Sequence, residues 1–123
     1  MKLSSFVLFI GLLLHGNSVL AVENEEIEYL LSYIAVSGCI FIRNGTEHQP
    51  KEAREHLEMK YNHVRSRIAT AEDFINKIAS KSSLSRRKYQ IRCGDIQLPT
   101  KVWLEHALAS RRAYLKESKN EKK

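Results

Sequence analysis

The stretch Phe41-Ile42-Arg43-Asn44-Gly45-Thr46-Glu47-His48 gathers an arginine, a turn dipeptide, a glutamate and a histidine between two apolar residues and a helix start at Pro50. Arginine presents a fork of donors that matches carboxylate and phosphate, and a helix N-terminus also favours negative charge. The chemistry offered is therefore recognition of an anionic group. Tyr89 and the serines of the 80–83 loop become neighbours of this turn if the strand holding Tyr89 pairs with the strand holding Phe41. The candidate ligand- or partner-binding set is Arg43, Asn44, Glu47, His48 and Tyr89. The competing role is structural, with Arg43 pairing to Glu47 or a helix acid and fixing the turn.

Metal and catalytic chemistry are harder to build. Glu52 and His56, at i and i+4, face one side of a helix, but His63 would lie about 10 Å further along its axis. A third ligand would have to come from His48 or His106, so surface histidines are the expectation, with no metal site and no cofactor. Ser85-Arg86-Arg87-Lys88 matches the S-x-x-K pattern of penicillin-recognising enzymes, yet the companion S-D-N and K-T-G motifs are missing from the sequence. Nor does it contain a glycine-rich phosphate loop, a nucleophile elbow or H-E-x-x-H. No catalytic residue is assigned. The enzymatic alternative is a small hydrolase or lyase using His48 or His56 beside Glu47 or Glu52.

The elements that must position these groups follow an N-terminal leader. Lys2, the apolar run 6–14 and Val19-Leu20-Ala21 read as a cleaved secretory signal over residues 1–21. The apolar run is too short to span a bilayer. A cut after Ala21 leaves one modest domain, expected over 22–115, with 116–123 as a disordered polar tail because it holds no apolar residue. The formal net charge is +6 and the two signs are interspersed. For an exported chain the anionic candidates become envelope components rather than nucleic acid, against the competing reading of a well-solvated basic surface kept soluble by its charge. Cys39 and Cys93 are the chain's two cysteines, and export makes a disulfide between them the default.

Ile27, Leu30, Leu31 and Ile34 recur at helical spacing after a candidate N-cap at Asn24, and Gly38 follows as a stop. Cys39 to Arg43 reads as a short strand ended by Asn44-Gly45. Pro50 opens a second helix whose buried stripe is Ala53, Leu57, Tyr61, Val64 and Ile68. Thr70 caps a third helix with Phe74, Ile75 and Ile78 inward. Lys88 to Cys93 alternates as a second strand with Tyr89, Ile91 and Cys93 on one face. Thr100 is the candidate cap of a last helix burying Trp103, Leu104, Ala107, Leu108 and Leu115. The expected fold is mainly α (small α+β), four helices with a short two-stranded β element in a single domain.

Several ordered motifs, Phe41-Ile42-Arg43-Asn44-Gly45, Glu47-His48, Glu52-Ala53, His56-Leu57, Lys60, Thr70-Ala71-Glu72, Phe74-Ile75, Ala79-Ser80, Ser82-Ser83 and Tyr89, together resemble the YfeK-like family of small bacterial periplasmic proteins. The resemblance covers about residues 26–110. It implies a bacterial envelope location and one small domain, and it supplies no reaction. It also implies a small residue, typically glycine, after Ser85, where this chain has Arg86. The leading expectation is a non-enzymatic periplasmic module that binds an envelope component or a protein partner through the Arg43–His48 turn without spanning the membrane. The hydrolase or lyase alternative would act on cell-wall or polysaccharide material. A third reading is a stability or assembly factor with no discrete site.

Overall fold

The computed structural model describes residues 19–123. The expected leader lies outside the described residues up to position 18. Helix α1 (Val19–Val36) opens the described part and runs through the expected cut after Ala21. Its start lies ahead of Asn24, which is not an N-cap but a mid-helix side chain accepting a hydrogen bond from the Tyr61 hydroxyl at 3.4 Å. The predicted stripe is buried as spaced, with Ile27, Leu30, Leu31 and Ile34 all in the core. Gly38 leaves the helix at φ 69°, and Ser37 ties the end by donating to the Ile34 carbonyl and accepting from the Cys39 amide.

The β element has four strands, not two. Strand β1 (Ile40–Arg43) turns through Asn44 (φ 50°) and Gly45 (φ 77°) into β2 (Thr46–His48). Both turn residues are left-handed, the arrangement that suits the twist of a two-residue hairpin. Strand β3 (Gln90–Cys93) turns through Gly94 and Asp95 into β4 (Ile96–Pro99). The two hairpins join through antiparallel β1 and β3, giving the order β2-β1-β3-β4. The added strands are the edges. Thr46-Glu47-His48 has no apolar alternation, and Ile96-Gln97-Leu98 offers a single short alternation before Pro99, so neither stands out as a strand and turn geometry recruits both.

Helix α2 (Pro50–His63) has proline in its first turn and buries Ala53, Leu57 and Tyr61. The stripe then leaves the helix: a tight turn at Arg65–Arg67 lets Ile68 reach the core from outside it. Helix α3 starts at Ala71–Asp73 and continues as a π-helical turn through Phe74–Ile78. Thr70 caps it as the sequence predicts, accepting from the Asp73 amide at 3.0 Å, while Asp73 accepts from the Ala69 amide at 3.1 Å. Glu23 of α1 accepts from Ala71 at the same terminus.

Helix α4 (Thr100–Glu121) follows β4 directly. Thr100 is fully buried and its Oγ1 has no hydrogen-bond partner among the described residues, so it does not cap the helix. Leu104, Ala107 and Leu108 are buried as expected, Trp103 packs against the core edge, and Leu115 is 43% exposed because the helix has by then run past the domain body. Residues 116–121 are helical where their composition predicts a disordered tail. Lysine and glutamate propagate a helix readily once its packed half has supplied the nucleus.

All four helices and the inward face of the sheet share one core, in which Phe41, Leu57, Phe74, Tyr89, Ile91 and Leu104 are among the most buried side chains. Cys39 and Cys93 are bonded, with Cα atoms 4.5 Å apart, and so pin the start of β1 to the end of β3. Arg112 of α4 donates two hydrogen bonds to Glu26 of α1, at 2.7 and 2.8 Å, and one to Glu72 of α3 at 2.5 Å. No helix among the described residues is long and apolar enough to cross a membrane.

Candidate functional site

Strand alternation decides which residues of the polar turn meet. Phe41 and Arg43 point to the helix-covered face of β1, and the register that sets Phe41 opposite Ile91 and Ile42 opposite Gln90 carries Tyr89 alongside Arg43. Helix α2 crosses this face and brings His56 and Lys60, one turn apart, to the same point. Arg43 Nη1 lies 3.0 Å from His56 Nδ1 and 3.2 Å from Nε2. His56 Nε2 lies 3.4 Å from the Tyr89 hydroxyl, whose ring is 1% exposed. Lys60 Nζ donates to that hydroxyl at 3.0 Å and to the carbonyls of Ile78 and Lys81 at 2.9 and 3.1 Å.

The Ile78 carbonyl is free to accept because α3 ends as a π turn, in which the Ala79 amide bonds back to Phe74. The ammonium of Lys60 therefore satisfies a helix C-terminus and the following loop together. That loop folds back between Lys81 and Lys88, with Ser82 N donating to Arg87 O and Arg86 N to Ser82 O, both at 3.0 Å. Arg86 sits at φ 61°, the left-handed position at which a glycine is implied. Ser85 then reaches the hairpin turn and donates to Asn44 Oδ1 at 2.5 Å. The Arg87 guanidinium lies over Gly45, 3.8 Å from where a Cβ would stand.

These elements enclose a cavity of about 260 Å³ bounded by Arg43, Asn44, His56, Lys60, Ser85 and Tyr89, with Leu84 at its mouth 97% exposed. No carboxylate lines it among the described residues. The electrostatics follow. Burial, reinforced by the Arg43 and Lys60 charges, lowers the His56 imidazole to about 4. Burial and then Arg43 lower the Lys60 ammonium to about 8. The Tyr89 hydroxyl is pushed up by its burial, with Arg43 opposing. His56 is thus neutral at pH 7 and accepts from Arg43, which keeps its remaining donors. Such a cavity can bind an anionic group, which would supply the missing negative charge.

Of the sequence candidates, Arg43, Asn44 and Tyr89 converge here. Glu47 projects from the opposite face of the sheet and accepts from Arg92 at 2.6 Å, which holds its carboxyl below the usual range. Arg43 is consequently not the partner of Glu47. His48 is bonded through Nδ1 to Glu52 and its ring lies beside Phe41, while Nε2 is buried without a partner among the described residues. That histidine–carboxylate pair takes Glu52 away from His56 and presents no open nitrogen to a substrate. Among the described residues no three His, Cys, Asp or Glu side chains come close enough to hold a metal ion. His56 and Lys60 are absent from the sequence-derived binding set, where His56 enters only for a metal and for the enzymatic alternative. Their lysine–histidine spacing on the flank of the α2 stripe was visible, but only the register of β1 on β3 shows that Arg43 and Tyr89 meet that flank.

Residues 21–112 match a family of unknown function, DUF5329. The chain is also 41% identical over 73 residues to the uncharacterized protein YfeK of Salmonella typhimurium, a match covering 58% of this chain and 61% of that protein. No solved structure matches it. The matched span takes in every strand and the packed part of each helix, ending at the Arg112 anchor of α4. The chain belongs to the family of unknown function DUF5329.

Proposed function

We propose that the protein is an exported, non-enzymatic binding module of the bacterial envelope, holding an acidic group of an envelope component or protein partner in the Arg43–Lys60–Tyr89 cavity. The observation that carries this reading is the convergence of His56 and Lys60 on one buried tyrosine, with Arg43 joined through His56 and no lining carboxylate among the described residues. Uncompensated positive charge in a half-buried site is costly to maintain, and a bound anion removes that cost. Arg43 provides the free guanidinium face and Tyr89 its hydroxyl, while the Ser85 hydrogen is already given to Asn44. The three hydrogens of Lys60 are already engaged, so it contributes charge rather than direct donation. The disulfide fits an oxidising compartment such as the periplasm.

The test is calorimetric titration of the purified chain with inorganic phosphate at low ionic strength. Saturable binding that weakens at least tenfold in Arg43→Ala and is unchanged in His48→Ala is the expected result. Absence of saturable phosphate binding, or equal binding by folded Arg43→Ala, would overturn the reading.

A further inference from the structure

A second, larger hollow shares two wall residues with the anion cavity. It is a groove of about 590 Å³ along the outer end of α2, bounded mainly by Met59, Val64, Ile68 and Ile78, with Lys60 and Ser83 common to both spaces. Ile68 and Ile78 form a buried floor, whereas Met59 is 63% exposed at the rim. A large apolar side chain so open on an otherwise polar helix face is unused packing capacity. The charged residues on the lining are all basic or histidine: Lys60, His63, Arg67 and Lys77. Lys77 is paired with Asp73 at 3.6 Å, but Arg67 has no carboxylate partner among the described residues. An apolar trough with a cationic rim, opening beside an anion cavity, is complementary to a molecule with an apolar tail and an acidic head.

We propose that the ligand is a single-chain amphiphile with a phosphate head, the head seated at Arg43 and the chain lying across Lys60 and Ser83 into the groove of Met59, Val64, Ile68 and Ile78. This rests on the anion-binding reading of the smaller cavity and adds the ligand's class. Phosphate suits the head because a phosphate monoester carries about −1.5 to −2 charge at pH 7, which matches the two cations Arg43 and Lys60 at the cavity, whereas a carboxylate offsets only one. One chain suits the groove because its volume falls in the range that encloses one small ligand, and it has a single apolar floor.

Titration of the purified chain below the micelle concentration with dodecyl phosphate, inorganic phosphate and dodecyl maltoside separates the terms. Dodecyl phosphate should bind at least tenfold more tightly than inorganic phosphate. Met59→Asp, at an exposed position, should abolish that advantage and leave inorganic phosphate binding unchanged. Inorganic phosphate bound with no gain from the tail would overturn the amphiphile proposal while leaving the anion cavity standing. Dodecyl maltoside bound as tightly as dodecyl phosphate would overturn the need for the acidic head. Failure of all three probes to bind would overturn both readings.

Discussion

His56 is the residue whose environment most constrains behaviour. Its imidazole is lowered to about 4 in the folded protein, chiefly by burial and then by Arg43, against about 6.5 for a free histidine. Between those values the unfolded chain holds a proton that the folded chain does not, so folding stability is complete above about pH 6.5 and declines as the pH falls towards 4. His56→Gln removes this contribution. Urea unfolding at pH 7.0, 5.5 and 4.5 should show wild type losing on the order of 1 kcal/mol more than the variant, after allowance for solvent screening. Parallel curves for the two proteins would contradict the neutral, cation-facing imidazole. Lys60 behaves in the same sense at higher pH: its folded value near 8 makes stability rise between about pH 8 and 10.5. The exposed Glu47–Arg92 pair lies outside the cavity and contributes little by comparison.

The 81–88 loop is the element that completes the site, and it does so with a strained residue. Arg86 takes φ 61°, where a side chain bearing a Cβ costs roughly 1 kcal/mol relative to glycine. Arg86→Gly relieves that strain at the expense of a more flexible unfolded chain, so a net gain of about 0.5 kcal/mol is expected by thermal or chemical unfolding. A loss of stability would mean that the Arg86 side chain makes compensating contacts. The Asn44-Gly45 hairpin meets its left-handed requirement with residues suited to it, and the Ser85–Asn44 hydrogen bond locks loop to hairpin. The π turn of Phe74–Ile78 is the third positioning device, since it points the carbonyl that seats Lys60.

At the scale of the whole molecule, one covalent link and one arginine hold the parts together. The Cys39–Cys93 bridge spans 54 residues and encloses α2, α3 and the site loop, a length for which loop-closure entropy predicts about 4 kcal/mol. The Cys39→Ser/Cys93→Ser double variant is expected to lose about 2–4 kcal/mol in urea unfolding and to weaken phosphate binding, since β1 and β3 carry Arg43 and Tyr89. Unchanged stability would show that strand pairing alone fixes the hairpins. Arg112 performs the corresponding task among helices, joining the mostly buried Glu26 and the exposed Glu72, whose carboxyl it holds below its usual range.

Local chemistry made much of this legible in the amino-acid sequence alone. The stripe of Ile27, Leu30, Leu31 and Ile34, the Thr70 cap, the Pro50 start and the pairing of Cys39 with Cys93 rest on spacing, on backbone preference or on there being two cysteines. The edge strand β2 and the helical 116–121 segment were not legible, because each is stabilised by continuation from a neighbour rather than by its own residues, and the Ile96-Gln97-Leu98 alternation of β4 is too short to stand out. The site divides along the same line. Arg43, Asn44 and Tyr89 stood out as polar groups near a turn, but His56 and Lys60 joined them, and Glu47 and His48 left them, through strand register and helix crossing alone. Register flips every side chain of a strand between two faces, and that choice is made by long-range burial, which only the folded chain contains.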